Sequence, residues 1–179
     1  KSFNKSSSKL FFPKNNDKLF WCFYILKNGI SDYNLNISNY FSIEKNIKID
    51  AISYMKSNKL NIKIKKTSVE NNLLYDKKLS IESLSLLCKV YNINLRLINS
   101  NFYYEFLNNA DGKIFKIYQE NDKYGIDFRD EEDDISDKLL IVNIQKPVNS
   151  ITFYKLNEKI DLATKLKLEL YNSNKKHKL

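Results

Sequence analysis

Between Asp17 and Gly29 the chain carries an almost unbroken apolar run, Leu19-Phe20-Trp21-Cys22-Phe23-Tyr24-Ile25-Leu26. A helix with no polar face must be buried on every side, so the rest of the chain has to be built around this segment. Asn15, Asn16 and Asp17 all supply side-chain oxygens suited to an N-cap, and Gly29 is a natural stop. The run is far shorter than the ~18–20 residues that a bilayer-spanning helix needs, so it predicts a central core helix and no membrane span. With 179 residues the chain has the usual size of one domain. A chain of that size buries roughly 70% of its unfolded surface, enough to enclose such a helix.

The pattern around this helix predicts a mixed α+β fold. Lys1–Lys9 is a Ser/Lys/Asn run that reads as a flexible arm, and Leu10-Phe11-Phe12-Pro13 then docks on something apolar. Glu44–Ser57 is weakly helical in period. Leu60-Asn61-Ile62-Lys63-Ile64 alternates and reads as a short strand or a β-like connection. Ser80–Tyr91 gives the clearest helix, with Ser80 as cap, Glu82 in the first turn and Ile81, Leu84, Leu87 and Cys88 inward. Asn92 ends it, and Leu95–Ile98 follows as a strand.

Three further strands are expected over Phe102–Phe106, Lys113–Tyr118 and Tyr124–Phe128, joined by hairpin turns at Asp111-Gly112 and Asn121-Asp122 as an antiparallel meander. Arg129–Asp137 is an acidic run that matches no calcium loop and reads as a solvated segment. Lys138–Ile144 is another apolar stretch, and Pro147 marks a boundary. The last helix is expected over Glu158–Tyr171 with Asn157 as its cap. The expected organisation is therefore an arm (1–9), an α+β core (10–146) and a C-terminal helical extension (147–179).

Charge and composition remove several function classes. Three glycines spread along the chain cannot build a phosphate-cradling loop, and one histidine with two distant cysteines cannot form a zinc shell. A serine-type triad fails because the only histidine, His177, sits in the charged tail. No cofactor is expected. Cys22 and Cys88 both lie in apolar runs, which reads as reduced thiols in a reducing, intracellular setting. No charged segment followed by an apolar one opens the sequence as a secretory signal would. Net charge is +9, which favours acidic partners. Heavy use of Lys, Asn and Ile throughout is also what an A+T-rich genome produces, and this compositional cause carries more weight. Arg96 and Arg129 are the only arginines, and arginine is the residue that base readout prefers.

What chemistry remains centres on Cys22, near the start of the buried helix, where the helix dipole favours a thiolate. A cysteine at the head of a central helix, the Leu79–Ile98 helix-to-strand unit and Lys123-Tyr124-Gly125 together resemble papain/OTU-like cysteine peptidases. The resemblance spans about Asp17 to Phe128. It implies a central helix packed on an antiparallel β-meander, Cys22 as nucleophile with Asp17 near it, and a ubiquitin-like protein as partner. Two departures stand out. Phe20-Trp21 precede the cysteine where that family has an Asp-Gly-Asn type loop, and Lys123 stands where it has its catalytic histidine. A lysine is no general base near neutral pH without a large pKa depression.

The end of the chain carries a second resemblance. Ser150–Leu156 followed by Ile160–Leu166 is similar to the helix-turn pattern of SAP-like modules, which contact DNA backbones. It implies salt-sensitive, sequence-blind phosphate contacts by Lys155, Lys165, Lys175 and Lys176; the bland alternative is an amphipathic helix packed on the domain. The Leu19–Ile25 block, the Ile81–Ile98 unit and the C-terminal helix together resemble an uncharacterised family of large, A+T-rich DNA viruses. The expected function is a structural or interaction protein, virion-associated, on a peptidase-like scaffold that has lost its base. Its partner would be a viral structural protein, and its place the host cytoplasm, the viral factory or the virion. An active cysteine peptidase or deubiquitinase using Cys22, and a non-sequence-specific DNA-binding protein, are the alternatives.

Overall fold

The computed structural model describes residues 10–129 and 135–168. In chain order the helices are α1 (Lys18–Asn28), α2 (Ile30–Leu35), a 3-10 turn (Ile37–Asn39), α3 (Tyr40–Ser57), α4 (Lys66–Tyr75) and α5 (Ile81–Val90). The strands β1 (Asn94–Ile98), β2 (Phe102–Phe106), β3 (Ile114–Glu120), β4 (Lys123–Ile126) and β5 (Leu139–Leu140) follow, then a 3-10 turn (Ile151–Phe153) and α6 (Leu156–Lys165).

The apolar run becomes α1, as its pattern requires. The Asp17 carboxylate accepts the Phe20 N–H at 3.3 Å, and the Gly29 N–H closes the last turn on the Ile25 carbonyl at 2.7 Å. Gly29 has φ 91°, a left-handed conformation that a side chain would strain. All seven residues from Leu19 to Ile25 are buried. The five largest aliphatic and aromatic side chains among them, at about 1.5–3 kcal/mol each, contribute on the order of 10 kcal/mol before entropy is counted.

The sheet runs β4-β3-β1-β2-β5 and is mixed. β1–β2 and β3–β4 pair antiparallel, whereas β1–β3 and β2–β5 pair parallel. The expected antiparallel meander is therefore corrected: the Asp111-Gly112 segment is not a hairpin turn but part of a crossover that carries the chain from β2 past β1. The cause is Asn94 at the head of β1. Its Oδ1 accepts the Asn108 and Asn109 N–H groups at 2.7 and 2.9 Å, and its Nδ2 donates to the Asn109 and Gly112 carbonyls at 2.5 and 2.9 Å. These bonds clasp the 107–113 loop over the end of β1, so β3 enters on the far side. The Asn121-Asp122 turn does form a hairpin, with Asn121 at φ 54°.

Register and burial separate the two faces of the sheet. Leu95, Leu97, Tyr104, Phe106, Phe115, Ile117, Tyr124 and Ile126 belong to the core with the inward sides of α1, α3, α4 and α5. α1 lies on β3 and β4, α5 lies against β2, and α3 and α4 pack on α5. On the opposite face Arg96 stands across from Glu105, bonds its carboxylate, and rests 5.6 Å from the Tyr103 ring centre.

Two helices, α2 and α4, stand where the sequence pattern predicts none. The inward stripe of α4 is Val69, Asn72 and Leu73, and a buried asparagine hides the apolar period. Asn72 is fully used: Oδ1 accepts Ser80 N–H at 2.9 Å and Ser83 Oγ–H at 2.7 Å, while Nδ2 donates to Asp76 and the Lys78 carbonyl. Ser80 caps α5 as expected. The alternating Leu60–Ile64 segment joins no sheet; Leu60, Ile62 and Ile64 instead pack on the core from an irregular connection. α3 begins at Tyr40, a turn earlier than expected. α6 starts before Asn157, because Glu158 accepts the Lys155 N–H at 2.7 Å. Leu10–Pro13 docks as expected: Phe11 and Ile126 exchange two backbone bonds of 2.9 Å along the edge of β4.

Candidate functional site

The resemblance points at the head of α1, and the structure builds a buried ion network there. Asp17 accepts the Leu79 N–H at 3.0 Å in addition to its cap bond, and accepts Lys48 Nζ at 3.0 Å. Lys48 also donates to Glu44 at 2.7 Å, one helical turn away on α3, and Glu44 accepts the Trp21 indole N–H at 3.1 Å. Burial alone would lower the Lys48 pKa. The two carboxylates outweigh it and hold the ammonium above its ordinary value. The network ties α1, α3 and the loop before α5 together at one point.

Beside it lies a cleft of about 260 Å3 lined by Asn16, Asp17, Lys18, Leu79, Asp122 and Tyr124 among others. No thiol or imidazole lines it. Cys22 is one turn further along α1 and 0% exposed. Burial pushes its thiol well above the ordinary range; Lys18 opposes this weakly and Asp17 adds to it. The dipole at the helix head favours a thiolate, but desolvation of a sealed sulfur is the larger effect here. Cys88 is likewise buried, with its thiol raised by desolvation.

The hairpin that carries Lys123 presents a different residue to this cleft. Tyr124, on the core face with Ile126, lines the cleft, whereas Lys123 is one residue out of phase and exposed. Burial first, then the charges of Asp122, Asp17 and others, raise the Tyr124 phenol. Asp17 caps α1 and borders the cleft and the ion network, whereas Cys22, inside the helix, is buried in the core. His177 lies outside the described residues.

Two lysines of the SAP-like reading fall among the described residues. Lys155 is exposed at the head of α6, and Lys165, at its end, pairs with Asp161 at 3.2 Å. Lys175 and Lys176 lie outside the described residues, as do the 1–9 arm and residues 130–134 of the acidic run. In the lysine-rich stretch from Lys56 to Lys66, Lys56 pairs with Glu70 at 2.6 Å and Lys66 Nζ donates to the Met55 carbonyl at 3.3 Å, while Lys59, Lys63 and Lys65 are exposed.

Sequence reasoning missed Lys48 and Glu44. The signal was present: Lys48 shares the i, i+3, i+4, i+7 stripe of Ala51, Ile52 and Met55, and a lysine on a buried stripe demands a carboxylate partner. Among the described residues no cluster of His, Cys, Asp and Glu could hold a metal ion, and no helix is long and apolar enough to cross a membrane. The class that fold and site define is an α+β domain with a mixed five-stranded sheet, helices on one face and a tied-off helix head. Set against protein-family models, curated proteins and solved structures, the chain matches none of them.

Proposed function

We propose that this chain is a binding protein and not a hydrolase: a structural or interaction component of a large DNA virus, carried in or on the particle. Its scaffold is read as papain/OTU-like in descent, without a working nucleophile and base. The observation that carries the reading is the sealed Cys22 beside a cleft whose lining offers Asp17, Lys18 and Tyr124 instead of a thiol and an imidazole. A thiol with no water access and a raised pKa is a packing group. The viral assignment rests on the sequence resemblance and on the Lys/Asn/Ile composition.

Exposed apolar side chains support a binding role. Leu35 and Phe41 near the start of α3, Phe153 in the 3-10 turn before α6, and Leu156 and Ile160 on α6 face solvent. Where such side chains form a contiguous patch they mark surfaces that meet other molecules. The test has two arms. A ubiquitin-based electrophilic probe applied to the native chain gives no adduct, and a small thiol reagent modifies Cys22 only as fast as the protein unfolds. Capture by the probe that vanishes in Cys22→Ala overturns the reading and establishes an active peptidase. Absence of the protein from purified particles overturns the virion assignment alone.

A further inference from the structure

One helix stands apart from the core. Among the described residues no other helix or strand packs extensively on α6, and its ends are closed by its own residues. Glu158 accepts the Lys155 N–H at 2.7 Å, and Asp161 pairs with Lys165 at 3.2 Å. The chain turns back at Lys167, φ 54°, so that the Leu168 N–H bonds the Ala163 carbonyl at 2.8 Å. Both carboxylates of the helix are thereby engaged within it, whereas Lys155, Lys159 and Lys167 pair with no carboxylate among the described residues. The first two turns carry large apolar side chains into solvent: Leu156 is 72% exposed and Ile160 44%, and Phe153, in the turn before, is 70% exposed. At about 100° per residue, Leu156 and Ile160 stand about 40° apart, Lys159 about 60° from Leu156, and Glu158 and Asp161 about 100° or more from both. Ala163, next on the stripe, is buried, so the exposed part is the first half of the helix. Apolar side chains and unpaired lysines therefore share one side of α6, and the carboxylates take the other.

We propose that this side of α6 is a docking site for an anionic lipid surface, on which the helix lies in the plane of the headgroups. Phe153, Leu156 and Ile160 enter the acyl boundary, and Lys155, Lys159 and Lys167 meet the lipid phosphates and carboxylates. Charge selects this occupant. An apolar stripe alone suits any apolar groove, but lysines beside the stripe with the acids turned away match a negative surface. The chain as a whole carries +9, which favours the same encounter. A nucleic acid is also an anion, but contact with its phosphates leaves the exposed apolar side chains in water, whereas a lipid surface buries them. A helix of 10 residues with so few anchors binds weakly and reversibly. This inference rests on the reading of the chain as a binding protein, whose own test, at Cys22, is separate.

The experiment sediments the full chain with vesicles of phosphatidylserine and phosphatidylcholine in equal parts, and with vesicles of phosphatidylcholine alone. Partition into the mixed vesicles is expected, with less into the neutral ones and a gap that closes with salt. Leu156→Ser combined with Ile160→Ser changes only exposed positions, so Tm holds while the partition coefficient falls at least about tenfold. Lys155→Gln and Lys159→Gln each lower it about fivefold. Leu156→Trp gives a signal that does not depend on a loss: on adding mixed vesicles its emission shifts to the blue and is quenched by lipids brominated in the acyl chain, whereas the buried Trp21 is untouched. The proposal is overturned by no partition, by partition that the double serine variant retains, or by a Leu156→Trp emission that the brominated lipid leaves unchanged. Salt-sensitive binding of duplex DNA that displaces the vesicles also overturns it, by assigning the lysines to nucleic-acid phosphates.

Discussion

If the ion network fixes the head of α1, then Asp17 and Lys48 must be coupled energetically, and a double-mutant cycle measures that coupling. Their side chains are 2% and 8% exposed, so solvent screens the pair little. Lys48→Met removes the cation and leaves the buried Asp17 carboxylate and the half-buried Glu44 facing an apolar side chain; breaking a buried pair this way costs about 3–5 kcal/mol. Asp17→Asn keeps an acceptor for the Phe20 and Leu79 N–H groups and leaves Lys48 with Glu44, so it costs less, about 2 kcal/mol. The double variant has neither charge and costs about 2 kcal/mol less than the sum. Against a total stability of about 5–15 kcal/mol, both single variants still fold. Urea unfolding followed by Trp21 fluorescence reads the cycle, and Tm falls by about 6–12 °C for a loss of 3 kcal/mol in a chain of this length. Effects that add within ~0.5 kcal/mol refute the reasoning, because the two groups would then act independently.

Other outcomes follow from single contacts. Tyr24, which donates to Asp32, is held up to about 12 by burial, then by that bond and the Asp32 charge. An unfolded tyrosine ionises near 10, so stability is full below that pH and falls as pH rises toward 12, because only the unfolded chain has lost the proton. Urea midpoints across this range, with tyrosinate absorbance as a second signal, check it; a flat midpoint contradicts it. Gly125→Ala places a Cβ 2.9 Å from the Phe12 ring and 3.2 Å from Leu10, an overpacking expected to cost about 1–3 kcal/mol in a thermal melt. An unchanged Tm would mean that the Leu10–Pro13 segment yields freely. Cys22→Ser puts a hydroxyl at a fully buried position of the core and costs about 1–3 kcal/mol, whereas a catalytic thiol in an open cleft would accept serine without loss of stability.

The elements set by local pattern were legible in the sequence. α1 announced itself by apolar residues all round between an Asp cap and a Gly stop, and α5 by Ser80 and its stripe. Four strands were found and β5, read only as part of an apolar stretch, was not; the strand order was also missed, because it depends on where one loop is anchored. Asn94 holds 107–113 through four bonds to backbone groups, and no period or turn propensity predicts which side of β1 the chain then takes. α4 was hidden because Asn72, Ser80 and Ser83 satisfy one another inside, so a polar residue occupies an inward position. At the site, the position of Cys22 along α1 was readable, but whether it faced cleft or core was not. One helical turn separates the two, and only packing of α1 on β3 and β4 decides the rotation.

The bond pair between Phe11 and Ile126 also sets a timetable. These residues are 126 − 11 = 115 positions apart, so at roughly 5–20 residues per second a ribosome needs about 6–23 s to deliver the second after the first. Through that interval Leu10–Pro13 has no edge to join, and α1, buried from Leu19 to Ile25, emerges before a single strand of the sheet it covers. The nascent chain therefore carries an apolar helix for seconds before the sheet it packs on exists. Folding in the cell is expected to depend on a chaperone that grips the α1 region early and releases it only after the β3–β4 hairpin has left the ribosome.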